Sequence, residues 1–135
     1  MKRVFFVLLS LMLLTGCRKE NKMAVTASKA KIDFETVEYN FNNVGQGHPQ
    51  EYDFVFHNVG ATPLVIQKTE TGCSCTQVDY DKEPVDAGEG GIIRVTYLAN
   101  NGTGRFSHFI AVYSNGADSI GYTTLHIEGE VSARH

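Results

Sequence analysis

The chain has 135 residues, 42% of them apolar and 20% charged, with 12 Lys and Arg against 15 Asp and Glu. That is the size and make-up of one ordinary globular domain, which excludes disordered and collagen-like chains. A formal charge of −3 argues against nucleic acid as the main partner, because neutralising phosphates needs a basic surplus; three cysteines are too few for a disulfide-dense mini-protein.

Lys2 and Arg3 open the chain as a short basic region, and Val4 to Leu14 is apolar apart from Ser10. The run is shorter than the ~20 residues of a membrane-spanning helix and has the form of a secretory signal. Leu14-Thr15-Gly16-Cys17 then resembles a bacterial lipobox, in which small residues admit a protease and the thiol of Cys17 takes the lipid. Residues 1–16 are therefore expected to be a signal peptide, with Cys17 the lipidated first residue of the mature protein. The 16 removed residues carry two basic and no acidic side chains, so the remaining 119 have a formal charge of −5. Such a chain is held at a membrane by its acyl groups and not by attraction to anionic headgroups. With Arg18 and not Asp after the cysteine, the pattern resembles lipoproteins sorted to the outer membrane. Residues 17–29 are otherwise polar and read as a flexible tether.

From Ala30 onward, period-2 segments separated by turn residues predict an all-β domain over residues 30–132. Ile32 and Phe34 alternate with polar neighbours, as do Val37, Tyr39 and Phe41, and then Tyr52, Phe54 and Phe56. The cluster Asn58 to Pro63 reads as a turn before a short buried strand at Leu64 to Ile66. Val78 and Tyr80 start another strand, ended by Pro84 and Gly88. Ile92 to Leu98 puts Ile93, Val95 and Tyr97 on one face; Phe106 to Tyr113 is apolar on both and reads as central. Ile120 to Val131 places Leu125, Ile127 and Val131 together, and Asn115-Gly116 predicts a two-residue hairpin before it. No helical period appears. Seven to eight mostly antiparallel strands fit an immunoglobulin-like β-sandwich, with a core of aliphatic, Phe and Tyr side chains, since Trp is absent.

These residues resemble the bacterial immunoglobulin-like family called domain of unknown function 1573, which is common among secreted lipoproteins. Tyr39 to Val44 with Gly47 is similar to its opening turn. Phe54-Val55-Phe56-His57-Asn58-Val59-Gly60 with Pro63-Leu64 is similar to its second strand and turn, and Cys73-Ser74-Cys75-Thr76 to its Cys-x-Cys-Thr loop. Pro84-Val85, Gly88, the Ile92–Tyr97 strand, Gly104-Arg105-Phe106, Ser114-Asn115 and Ile127 to Val131 follow in order. Asn42 stands where the family has Gly, which Asn tolerates because it accepts positive φ; Ala87 replaces a common Pro and Ser74 a common Gly. The resemblance implies the sandwich fold and, through similar domains of sperm and ciliary proteins, a docking role. It implies no activity.

With Cys17 consumed by lipid, Cys73 and Cys75 are the remaining thiols, in an oxidising compartment. The leading expectation is a local disulfide, whose short loop stabilises little. A labile pair for thiol exchange, a soft-metal site for Cu(I) or Zn and pairing with another chain stay open. A metal would need His57, His108 or His126 to converge on the thiols. The histidines are scattered, and His57 and His108 read as structural strand residues. Asp79, Asp81, Glu83 and Asp86 read as a solvated acidic edge, since their spacing is wrong for an EF-hand. Gly88-Glu89-Gly90-Gly91 precedes a strand and lacks the Lys-Ser/Thr of a phosphate loop. No Gly-x-Ser-x-Gly elbow is present. Asn101-Gly102-Thr103 and Asp118-Ser119-Ile120 match short glycan-acceptor patterns.

The expectation is a non-catalytic, lipid-anchored binding or scaffolding module of the outer membrane, requiring no cofactor or metal. Its partner would be an envelope protein or glycan, and the loop Thr71-Gly72-Cys73-Ser74-Cys75-Thr76 its first candidate contact. The alternative is a redox or soft-metal protein using Cys73 and Cys75.

Overall fold

The computed structural model describes residues 29–133; the expected signal segment, Cys17, the expected tether up to residue 28 and His135 lie outside the described residues. Eight strands follow one another: β1 (Ile32–Phe34), β2 (Glu38–Gly45), β3 (Gln50–Asn58), β4 (Ile66–Thr71), β5 (Thr76–Tyr80), β6 (Gly90–Tyr97), β7 (Gly104–Ser114) and β8 (Tyr122–Ser132). They form two four-stranded sheets, with orders β1-β3-β6-β5 and β2-β8-β7-β4. The first is the A-B-E-D order of an immunoglobulin domain; the second is its C-F-G order with β2 added beside the last strand. Every pair is antiparallel except β2 with β8, which is parallel. The chain is a β-sandwich of the kind its strand pattern predicts.

The alternation read from the sequence decides what lies between the sheets. Phe54, Ile93 and Val95 from one sheet and Ile110, Val112, Leu125 and Ile127 from the other are all fully buried. Aromatic side chains close one end: Tyr97 of β6 stacks on Phe106 of β7 at 3.8 Å, and Tyr39 of β2 on Tyr52 of β3 at 3.6 Å, each pair spanning the two sheets. Two rings lie over glycines opposite them in the ladder, Phe56 over Gly91 and Phe106 over Gly129. An added Cβ at Gly129 would stand 2.8 Å from the Phe106 ring. Asn42 has φ 59° and sits at a bulge where β2 gains one residue on β8; its N–H donates to Asn40 Oδ1 at 2.7 Å.

Four local expectations need correction. Leu64 makes a single bridge with Val85, and the strand that follows runs over Ile66–Thr71, beyond the Leu64–Ile66 segment. Polar Gln67, Lys68 and Glu70 hid it, because an edge strand with a solvated face need not look apolar. The link from β7 to β8 is not a two-residue hairpin but seven residues, 115–121. Asn115 is drawn aside: its side chain accepts from Val65 N at 2.8 Å and donates to Pro63 O at 3.0 Å. Ile120 lies in this turn and is exposed, so β8 begins at Tyr122. Val37 precedes β2 and faces solvent.

Asn58, read as one turn residue among several, is a fully buried hub. Its amide donates to Thr62 O at 2.8 Å and Val85 O at 2.9 Å, and its Oδ1 accepts from Gly60 N at 3.0 Å. Two connecting segments, residues 59–65 and 81–89, are thereby fixed to one side chain, which supplies hydrogen-bond partners to their backbone groups.

Candidate functional site

Between β4 and β5 the chain crosses from one sheet to the other, and the Cys-Ser-Cys loop makes that crossing. Thr71, the last residue of β4, stands opposite Ile110. The residues of β7 before Ile110 therefore have no β4 neighbour, and His108, on the inward face, meets the crossing loop instead. Cys73 and Cys75 are joined by a disulfide with Cα atoms 5.1 Å apart. Backbone bonds pin the loop: Thr76 N and Thr71 Oγ1 both donate to Cys73 O at 3.2 Å, and Leu98 N donates to Cys75 O at 2.9 Å.

The two sulfurs differ in surroundings. Cys75 is 1% exposed, with His108 Nε2 3.5 Å and Thr76 Oγ1 3.8 Å from its Sγ. Cys73 is half-buried, and its Sγ accepts from Cys75 N at 3.1 Å and from Asn101 Nδ2 at 3.4 Å. The His108 ring lies 5.7 Å from Tyr97 and 5.9 Å from Phe106, centre to centre. Burial pushes the His108 pKa below the usual imidazole value, and the nearby His126 adds to the effect. Burial likewise raises Tyr97. The corner thus offers a disulfide with one approachable and one shielded sulfur, and a neutral imidazole beside the shielded one. Among the described residues, Cys73, Cys75 and His108 are the group of ligand-type side chains that converges, with ligand atoms within 4.8 Å of one another.

The other sequence candidates disperse. His57 pairs with Glu35 at 2.9 Å on the exposed side of its sheet. His126 meets Ser107 Oγ at 2.8 Å on the outer face of the opposite sheet. Asp79, Asp81, Glu83 and Asp86 are all exposed, and Asp81 accepts from Glu83 N at 3.0 Å as a local turn. Gly88 (φ +83°) donates its N–H to Asn58 O at 2.9 Å, a structural turn. Asn101 to Thr103 is the loop beside Cys73, and Asp118 to Ile120 the exposed tip between β7 and β8.

A second surface gathers residues that the sequence did not single out. On the outer face of β2-β8-β7-β4, Phe109 is 60% exposed and stacks on His126 at 4.6 Å. Along the same strands Tyr113 meets Tyr122 at 5.3 Å, with Lys68 Nζ 4.3 Å over the Tyr113 ring. Toward the other end, Asn40, Asn43, Arg105, Glu128 and Glu130 line a shallow groove of about 600 Å³. Phe109 carried a signal: it is a large apolar residue on the outward parity of a strand whose inward positions were already filled.

The fold recurs in distant proteins. A protein of unknown function from Porphyromonas gingivalis W83 superposes with a TM-score of 0.66 at 15% identity, over 82% of this chain and 51% of that one. The ASH/PapD-like domain 7 of human CEP192 superposes with a TM-score of 0.65 at 11% identity, over 79% of this chain and 89% of that one. The secreted serine protease VesC from Vibrio cholerae does so with a TM-score of 0.59 at 11% identity, over 75% of this chain and 23% of that one. These likenesses concern the fold alone, and the chain spans about half the length of the Porphyromonas protein. No curated protein matches the chain. Residues 32–131, from the first residue of β1 to the penultimate residue of β8, match the model of the family described as protein of unknown function (DUF1573), and the chain belongs to that family.

Proposed function

We propose that this protein is a non-catalytic binding module of the bacterial cell envelope, held at the outer membrane by lipid on Cys17. It meets another envelope protein through the outer face of β2-β8-β7-β4. The observation that carries this reading is Phe109, a ring left 60% exposed in the middle of a sheet and flanked by His126. Leaving such a side chain in water forgoes burial worth ~1.5–3 kcal/mol, which a covering partner recovers. Aromatic and Arg side chains are those enriched where proteins meet, and Tyr113, Tyr122 and Arg105 share this face. The loop Thr71–Thr76 turns Cys75 and Thr76 into the core and offers solvent chiefly Gly72 and Ser74. The sheet face therefore takes precedence over it as the contact surface.

The test is a photo-crosslinking residue placed at Phe109 in intact cells, against the same residue at exposed Ile92 on the opposite sheet. A discrete, protease-sensitive adduct specific to position 109 is expected. An adduct that survives protease but yields to glycan-cleaving enzymes would replace the protein partner by a glycan. Equal labelling from both positions would overturn the assignment of the face. A Phe109→Ser variant should lose the native partner while keeping stability within about 0.5 kcal/mol.

A further inference from the structure

We propose that Cys73, Cys75 and His108 form a soft-metal site for a cuprous ion, closed while the disulfide stands and opened by its reduction. The inference rests on the sheet-crossing corner and is independent of the outer sheet face.

The donor set is two thiols and one imidazole, with all three ligand atoms within 4.8 Å of one another. Thiolate sulfur selects soft ions such as Cu(I). A closed zinc site takes four ligands, and among the described residues no fourth Cys, His, Asp or Glu joins these three. The ligands are held in place by the fold. His108 extends from β7 and packs against Tyr97 and Phe106, while the backbone bonds of Cys73 O and Cys75 O fix the loop without the sulfurs. Cys73 Sγ already accepts two N–H groups, from Cys75 N and Asn101 Nδ2. Such donors favour a thiolate, and outer hydrogen bonds of this kind orient metal ligands.

Opening requires a dithiol reductant. The S–S bond takes two electrons and two protons to become two thiols, and the dithiol closes into its own disulfide. A cuprous ion then binds both sulfurs and His108 Nε2, releasing the two thiol protons to solvent. Copper stays in the +1 state throughout. The half-buried Cys73 sulfur is the one a reductant reaches, and the buried Cys75 leaves beside His108.

The test uses the whole mature lipoprotein in detergent, reduced without oxygen, freed of reductant, and offered cuprous ion in competition with a cuprous chelator. One ion per chain is expected, with X-ray absorption showing two sulfurs and one nitrogen. The disulfide form should retain none. His108→Asn should lose the nitrogen and weaken binding by more than about 100-fold, since even outer partners of a ligand are worth 10–100-fold. Failure of the reduced protein to compete, wild-type retention by His108→Asn, or displacement of copper by equimolar zinc would each overturn the site. If the variant does not fold, an all-sulfur shell in the wild-type spectrum overturns it alone.

Discussion

Reducing the Cys73–Cys75 disulfide should leave the sandwich folded. The bond closes a loop of three residues, for which the chain-entropy relation gives about 1.6 kcal/mol at 25 °C. Little else is lost. Thr76 N and Thr71 Oγ1 still reach Cys73 O, Leu98 N still reaches Cys75 O, and the fully buried side chains, from Phe54 to Ile127, are untouched apart from Cys75 itself. A domain of about 100 residues has an unfolding entropy near 0.2 kcal/mol/K, so the melting temperature should fall by roughly 8 °C. Thermal unfolding followed by far-ultraviolet circular dichroism, with and without a dithiol, reads the difference directly. A fall beyond about 15 °C, or loss of the cooperative transition, would refute the reasoning. The disulfide would then be a staple that the corner cannot fold without, and a reductively opened site there would be untenable.

Asn58→Ala takes the partner from the Thr62 carbonyl and the Gly60 N–H, while Val85 O keeps Leu64 N at 2.8 Å; at ~1–3 kcal/mol for each unpaired group, urea denaturation should show a loss of at least about 2 kcal/mol. Gly60→Ala puts a Cβ 2.5 Å from Lys31 N and 2.7 Å from Ala30 C, neither of which can yield as a side chain would, so hydrogen exchange should find β1 loosened even if the core holds. Gly129→Ala drives into the Phe106 ring and should cost ~1–3 kcal/mol in thermal unfolding, with the His108 proton resonances shifting because that ring packs on the imidazole. Arg94 holds the Asp53 carboxyl below its usual pKa through bonds of 2.7 and 2.8 Å. The pair stabilises the fold above the unfolded carboxyl value of about 3.9 and ceases to as pH falls through the lowered folded value. Paired urea titrations should show Asp53→Asn weaker than wild type at pH 7 and equal to it in strong acid; the gap is small, because both side chains face water.

How much of the fold was legible follows from what each strand buries. β3, β6 and β8 bury one face and solvate the other, and their alternation named the core residues Phe54, Ile93, Val95, Leu125 and Ile127 correctly. The edge strand β4 has little to bury beyond Ile66, so its Lys68 and Glu70 read as a loop, though they pair with Tyr113 and Ala111. Asn115-Gly116 misled for a different reason. The dipeptide suits a tight turn locally, but the Asn115 side chain bonds across to Val65 and Pro63, and those tertiary bonds outweigh a local turn preference. Conversely, the positive φ expected at Asn42 is present, because a β-bulge is a local device that one residue can specify.

The candidate corner divides in the same way. Cys73 and Cys75 are neighbours in sequence, so their meeting needed no fold. His108, 33 residues beyond Cys75, meets them only because β4 stops at Thr71 and leaves the start of β7 uncovered. Two facts in the sequence nonetheless pointed inward. His108 lies between Phe106 and Ile110 at even spacing, so period 2 places its ring on their side of the strand, and an imidazole facing an apolar interior must find a polar partner or lose its hydration. The sulfur of Cys75 is what the fold supplies, with Tyr97 and Phe106 closing the ring in. What the strand pattern alone could not supply was the length of β4. Had that strand run two residues further, its backbone would cover the position beside His108 and the crossing loop would lie elsewhere. The chemistry of this corner is therefore set by where an edge strand ends, and a two-residue insertion after Thr71 that continued β4 would carry the sulfurs past the imidazole while leaving every ligand residue in the chain.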